Sequence, residues 1–256
     1  MAQYDRQTSA THGGAQAVID EGLRSYMLGI YNYMGIALGI TGVVAFFLTT
    51  LTTTTDPQAA VAQMQNGIML TSLGQTLYGS PLQWVVALAP LGFVFGLSMG
   101  INKMKFATAQ MVFWGFAVAM GLSLSSIFLQ YTSASIARVF FITAGTFGAM
   151  SLYGYTTKRD LTGMGSFLMM GLIGIIIASI VNIFLASGPL AFAISVIGVL
   201  VFVGLTAYDT QKIKMMYLES DGADTMGKKM LMGALTLYLD FINLFIMLLR
   251  LFGNRN

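Results

Sequence analysis

Seven apolar stretches, each about 20 residues long, recur along the whole chain. They run roughly over Ser25–Leu51, Leu82–Met99, Ala107–Leu129, Ile136–Tyr155, Met164–Leu185, Leu190–Tyr208 and Lys229–Leu251. A stretch of that length matches the hydrocarbon thickness of a bilayer, where the backbone finds no hydrogen-bond partner outside itself. The other spanning solution is a closed barrel, and its alternating in–out pattern is missing here. The sequence therefore predicts an all-α polytopic membrane protein, a seven-helix bundle over 25–256 behind a polar cytoplasmic tail over 1–24. Composition agrees: 9% of residues are charged and 56% hydrophobic, against about 25% charged in a soluble domain.

The connections set the expected orientation. Lys103 and Lys105 follow the second span, Lys158 and Arg159 the fourth, and Lys212, Lys214, Lys228 and Lys229 the sixth. The connections after spans one and five carry no basic residue. Basic residues are retained on the cytoplasmic side, so the N-terminus and the even-numbered connections are expected there. Seven full crossings put the C-terminus outside. Arg250 and Arg255 at that end leave open a re-entrant last segment that returns the tail to the cytoplasm. The polar first 24 residues lack the pattern of a cleavable signal, so the first span is expected to be retained. The connection Thr52–Pro81 is the longest, with a short surface helix expected around Gly67–Leu73.

Several function classes fall away. There is no cysteine, which removes disulfides, thiolate metal sites and cysteine nucleophiles. The net charge of +3 belongs to loop residues that orient the chain, and nothing points to nucleic acid. His12 is the only histidine and is expected to be solvated in the tail. The 19 methionines are scattered and read as adaptable packing. Gly92, Gly96 and Gly100 in the second span, and Gly35 and Gly39 in the first, have the spacing of close helix–helix ridges.

Two aspartates break the apolar pattern: Asp209, closing FVGLTAYDTQK, and Asp240, inside LMGALTLYLDFINLFIMLL. An ionised carboxylate at mid-bilayer costs roughly 3 kcal/mol on insertion scales, so such acids face a bundle interior or a watery cavity and mark ion or proton paths. The bland reading of Asp209 is that it ends a helix at the interface. On the last span Thr236, Asp240 and Asn243 fall at i, i+4 and i+7, a single polar stripe. On the sixth, Thr206, Asp209 and Thr210 make a polar patch. If the two helices pack together, the carboxyls meet; both cannot ionise cheaply, so the pair titrates as a unit near neutral pH. The same oxygens are hard ligands suited to Ca²⁺, in competition with protons. No basic residue lies inside spans one to three, and Arg138 begins span four on the side opposite Asp209. Compensation is therefore expected from a shared proton, a cation, or neighbours such as Asn182, Thr236 and Asn243.

Three segments carry a resemblance: SLYGYTTKRDLTGMGSFLMMGLIG at Ser151–Gly174, GLTAYDTQKI at Gly204–Ile213 and ALTLYLDFINLFIMLLRLFG at Ala234–Gly253. In this order they resemble the Bax inhibitor family (transmembrane Bax inhibitor motif proteins) in its bacterial branch, over about 20–256. The resemblance implies a seven-helix bundle of the bacterial inner membrane with the last helix central. It implies a pH-sensitive calcium leak with Asp209 and Asp240 as the sensor pair. A gating scheme that needs an Arg–Asp pair has no embedded basic residue to use here.

Three functions compete. The first is a Ca²⁺ leak gated by protonation of Asp209 and Asp240. The second is a non-conducting interaction protein that modulates a membrane-bound protease or another membrane complex. The third is an intramembrane aspartyl protease, suggested by Tyr208–Asp209; such enzymes need a Gly-x-Gly-Asp second site, whereas Asp240 follows Leu237-Tyr238-Leu239. The protein is expected to be no enzyme and to need no cofactor beyond Ca²⁺. From the charge asymmetry, a reporter fused after Lys105 or Arg159 should read cytoplasmic and one within Thr52–Thr55 external; the opposite pattern at both sites reverses the topology.

Overall fold

The computed structural model describes residues 2–64 and 66–256, with side chains from Glu21 onward. The first helix, α1 (Ala2–Thr52), carries the first apolar stretch from Glu21. Beyond the long connection come α3 (Leu82–Gly100), α4 (Phe106–Leu124), a short α5 (Ser126–Gln130), α6 (Ser133–Thr156), α7 (Thr162–Leu185), α8 (Gly188–Met215) and α9 (Ala223–Phe252). Among the described residues seven helical stretches are long and apolar enough to cross a membrane, α4 and α5 together counting as one. The fold is the all-α polytopic bundle that the apolar pattern predicts. The polar tail over 1–24, His12 included, falls mostly on side chains outside the described residues.

The long connection departs from expectation. Three two-residue strands, β1 (Thr53–Thr54), β2 (Ala62–Gln63) and β3 (Met69–Leu70), form an antiparallel sheet in the order β1-β3-β2. The threonine tract favours extended backbone. Gly67 makes the turn before β3 at φ +85°, a conformation that strains any residue with a Cβ. The short surface helix does form, but later than expected, as α2 (Ser72–Tyr78), with the Thr71 hydroxyl capping its start.

The third span is one helical run, Phe106–Gln130, with Ser125 as the single turn residue between α4 and α5. α4 stops at Ser125, whose buried hydroxyl donates to the Leu122 carbonyl at 2.6 Å and receives Tyr78 OH at 2.8 Å. A hydroxyl that bonds its own helix backbone competes with the ladder and bends it.

α9 holds the bundle together. Of the residues in its apolar stretch 72% are buried, against 44% or fewer in any other span. It packs against α1, α3, α4, α6 and α8. Leu237, Tyr238 and Leu244 are fully buried on it. Thirty residues give a helix of about 45 Å, longer than the roughly 30 Å hydrocarbon core. It is one unbroken helix, long enough to cross and not broken as a re-entrant segment would be. Its end meets the start of α6, where Thr132 N donates to Asn254 O at 3.1 Å and Asn256 N to Gln130 O at 3.0 Å. The C-terminus therefore lies at the end of the bundle away from the lysine-bearing connections.

The glycine ridges do not pack. Nothing lies within 4 Å of where a Cβ would stand on Gly35, Gly39, Gly92 or Gly96, and Gly100 meets only its own Met104. α3 turns Pro90 and Leu97 inward and leaves Gly92 and Gly96 on its outer face. Small-residue spacing says that a helix can be approached closely, not that a neighbour does so. The close approaches are elsewhere: a Cβ on Gly154 of α6 would strike the Ala207 carbonyl of α8, and one on Gly121 of α4 would lie 2.8 Å from the Thr41 carbonyl of α1.

Gly154→Leu should therefore push α6 off α8 and destabilise the bundle by about 1–3 kcal/mol, as overpacking does. Gly96→Leu should leave the melting temperature in detergent unchanged. Equal melting temperatures for Gly154→Leu and the native chain would contradict the contact.

Candidate functional site

The site lies where α8 and α9 cross. α8 is longer than its apolar run, with the Ser187 hydroxyl accepting from Leu190 N, Pro189 in the first turn, and Lys212 and Lys214 in the last. It continues to Met215, so Asp209 sits inside the helix, and the reading in which it merely ends one is overturned. Asp209 is half-buried and Asp240 is 6% exposed.

The two carboxyl groups are neighbours, close enough to act on each other. Asp240 Oδ2 is buried with no partner among the described residues. Neither ionised carboxylate carries a donor, so the contact holds only with a proton or a cation between them. Neither aspartate forms an ion pair among the described residues; the two pairs present there are Lys228–Asp224 at 2.7 Å and Lys229–Asp221 at 2.6 Å. Lys212, three residues along α8, is the cation whose field reaches Asp209. Arg138 donates instead to Phe252 O at 3.2 Å, at the far end of the bundle.

The hydroxyls expected to assist the aspartates have spent their protons. Thr206 donates to Phe202 O at 2.7 Å and Thr236 to Met232 O at 3.0 Å, each four residues back on its own helix. A hydroxyl has one proton to give, so neither can donate to a carboxylate. Asn243, three residues beyond Asp240, is half-buried. Asn182 is not at the site: its Oδ1 accepts from Ser187 N at 3.0 Å, closing the far end of α7. Its expected place beside the aspartates fails because sequence position does not tell which end of a helix faces which.

The sequence also hides part of the site's surroundings. Tyr31 of α1 meets Ser151 of α6 at 2.5 Å, and Ser151 meets Thr210 of α8 at 2.9 Å. Thr210 donates to Thr206 O at 2.7 Å, so Ser151 must donate to Thr210 and Tyr31 to Ser151. A one-way hydroxyl chain thus ties three helices beside Asp209. Gln211, two residues further, accepts from Leu161 N at 2.8 Å and donates to Arg159 O at 2.8 Å, clamping the connection between α6 and α7. In that connection Asp160 accepts from Thr162, whose hydroxyl and amide hold its carboxyl below the usual carboxylate range. The signals for Tyr31, Ser151 and Gln211 are polar atoms inside or beside apolar runs, visible singly but not as a set. Tyr238, two residues before Asp240, points to the opposite side of α9 and meets the Thr41 hydroxyl at 2.7 Å. Asp240 and Tyr238 therefore anchor α9 on two faces.

The family described as "Inhibitor of apoptosis-promoting Bax1" matches residues 23–256. The chain belongs to this family. Both aspartates, the hydroxyl chain and the Gln211 clamp lie inside the matched range. Among relatives, an uncharacterised protein of Rickettsia prowazekii is 49% identical over 256 residues, covering 100% of this chain and 99% of its own. The inner membrane protein YbhL of Escherichia coli is 48% identical over 238 residues, 91% of this chain and 93% of its own. An uncharacterised membrane protein of Streptococcus pyogenes is 33% identical over 237 residues, 93% of this chain and 96% of its own.

Thr210→Val keeps the shape of this Bax inhibitor family site but leaves the Ser151 hydroxyl without its acceptor. The cost should be about 1–3 kcal/mol, that of an unsatisfied buried polar group. Thr210→Ser should restore most of it, and thermal unfolding of both variants in detergent checks the order.

Proposed function

We propose that the protein is a multi-pass protein of the bacterial inner membrane that passes calcium at a rate set by pH, with Asp209 and Asp240 as the titrating gate. The observation that carries this reading is the meeting of the two carboxyl groups between α8 and α9, with Asp240 Oδ2 left without a protein partner. Such a pair needs a proton or a cation, and the two compete for the same oxygens. The membrane assignment draws on the seven spans and on the Escherichia coli relative named for the inner membrane. The N-terminus is assigned to the cytoplasm on the lysine-bearing connections.

The residues present suit passage better than storage. Ca²⁺ takes about 6–8 oxygen ligands. Among the described residues no group of three or more His, Cys, Asp or Glu could hold a metal ion. Two carboxylates alone leave most of the shell to water or backbone carbonyls, a loose hold that suits an ion in transit. In this reading the protein acts as a conduit and not as an enzyme.

Calcium flux into proteoliposomes, followed as a function of pH, tests the proposal. The native chain should pass calcium with a pH-dependent step. Asp209→Asn and Asp240→Asn should each flatten or shift that step, and the double variant should be no worse than either, because groups that act as a unit are non-additive. Additive effects would dissolve the pair as a gate. A native chain that passes no calcium at any pH favours the non-conducting reading, a regulator of a membrane protease or another membrane complex.

A further inference from the structure

A second polar site lies at the opposite end of the bundle from the aspartates. A cavity of about 500 Å³ opens there between the end of α7, the start of α8 and the C-terminal segment. Arg250 and Arg255 line it, with Gln130, Ser179 and Asn182. No acidic residue does. Among the described residues neither guanidinium is in an ion pair.

Three features make this a built site and not a chance gap. First, Arg255 is held in place. Its backbone bridges Tyr131, its guanidinium lies 6.0 Å from the Tyr131 ring centre, and Asn254 and Asn256 on either side bond Ser135, Thr132 and Gln130. Second, Gly188 at the start of α8 forms part of the wall, so the positive end of a 28-residue helix faces the same space as the two arginines. Third, the placement opposes the rule that puts basic residues on the other side of the membrane. Arg250 in the last turn of α9 suits that helix's negative end, and Arg138 serves the Phe252 carbonyl. Arg255 lies beyond the helix and has no such use.

We propose that this cavity binds an oxyanion of the phosphate class, with Arg250 and Arg255 as its two charged contacts. Guanidinium groups match a phosphate with paired, charge-assisted hydrogen bonds, and Asn182 and Gln130 add amide donors. The anion has two sources. Ile183 and Phe192 also line the cavity and are 70% and 65% exposed on the bundle's outer face, so a lipid headgroup can enter from the side with its chains against them. Free phosphate can enter from the aqueous end. The site is independent of the aspartate pair.

Thermal unfolding of the purified full chain in detergent tests this, with inorganic phosphate, a short-chain phosphatidylglycerol, and chloride at matched ionic strength as probes. A ligand that binds only the folded chain raises the melting temperature with concentration. Phosphate or phosphatidylglycerol should do so and chloride should not. Stabilisation by phosphate identifies a soluble anion, and stabilisation by phosphatidylglycerol alone identifies a headgroup. Arg255→Gln lies outside every helix and should fold; it should weaken the response about tenfold or more. Arg250→Gln should do the same, and Lys103→Gln, at the other end, should not. The proposal is overturned if neither probe exceeds chloride, or if Arg255→Gln responds like the native chain.

Discussion

Hydrocarbon offers a polar atom no partner, so polar groups inside the bundle are driven toward partners in the protein. The last helix shows what this demands. Asp240 cannot face lipid, and the one carboxyl within its reach belongs to α8. Tyr238 cannot face lipid either, and the Thr41 hydroxyl on α1 receives it. Two polar residues on different sides of one helix thus require neighbours on both. A helix so constrained sits between others and not at the rim, and its 72% burial follows.

The spans could be read from the sequence because burial in lipid is a matter of length and hydropathy, both local properties. The pairing of Asp209 with Asp240 was legible for a related reason: each is an acid with nowhere else to go. The small sheet after α1 was not legible, since strands of two residues carry no period. Nor was the tie between Tyr78 and Ser125, hydroxyls 47 residues apart in the chain. Gly92 and Gly96 misled because spacing on one helix carries no information about the next. Gly154 looks no different in the sequence, yet the backbone of α8 rests against it.

The run Asp209–Gln211 does more than present a carboxyl. Asp209 meets Asp240, Thr210 closes the hydroxyl chain from Tyr31, and Gln211 clamps Arg159 and Leu161. Three consecutive helical residues point in three directions, about 100° apart. They join α8 to α9, to α6 with α1 behind it, and to the connection before α7. That geometry lets three adjacent residues fasten one helix to three different neighbours.

The contact at Gly154 constrains how the molecule can move. With no side chain between them, the backbones of α6 and α8 touch at Ala207, two residues before Asp209. Close-packed backbones have no rotamers with which to absorb a shift. α8 cannot slide or roll at this point without taking α6 along, and the hydroxyl chain through Ser151 adds a second fastening. The two helices are fastened to each other at two points beside Asp209, so a backbone movement that parts the aspartates is more easily made by α9 than by α8.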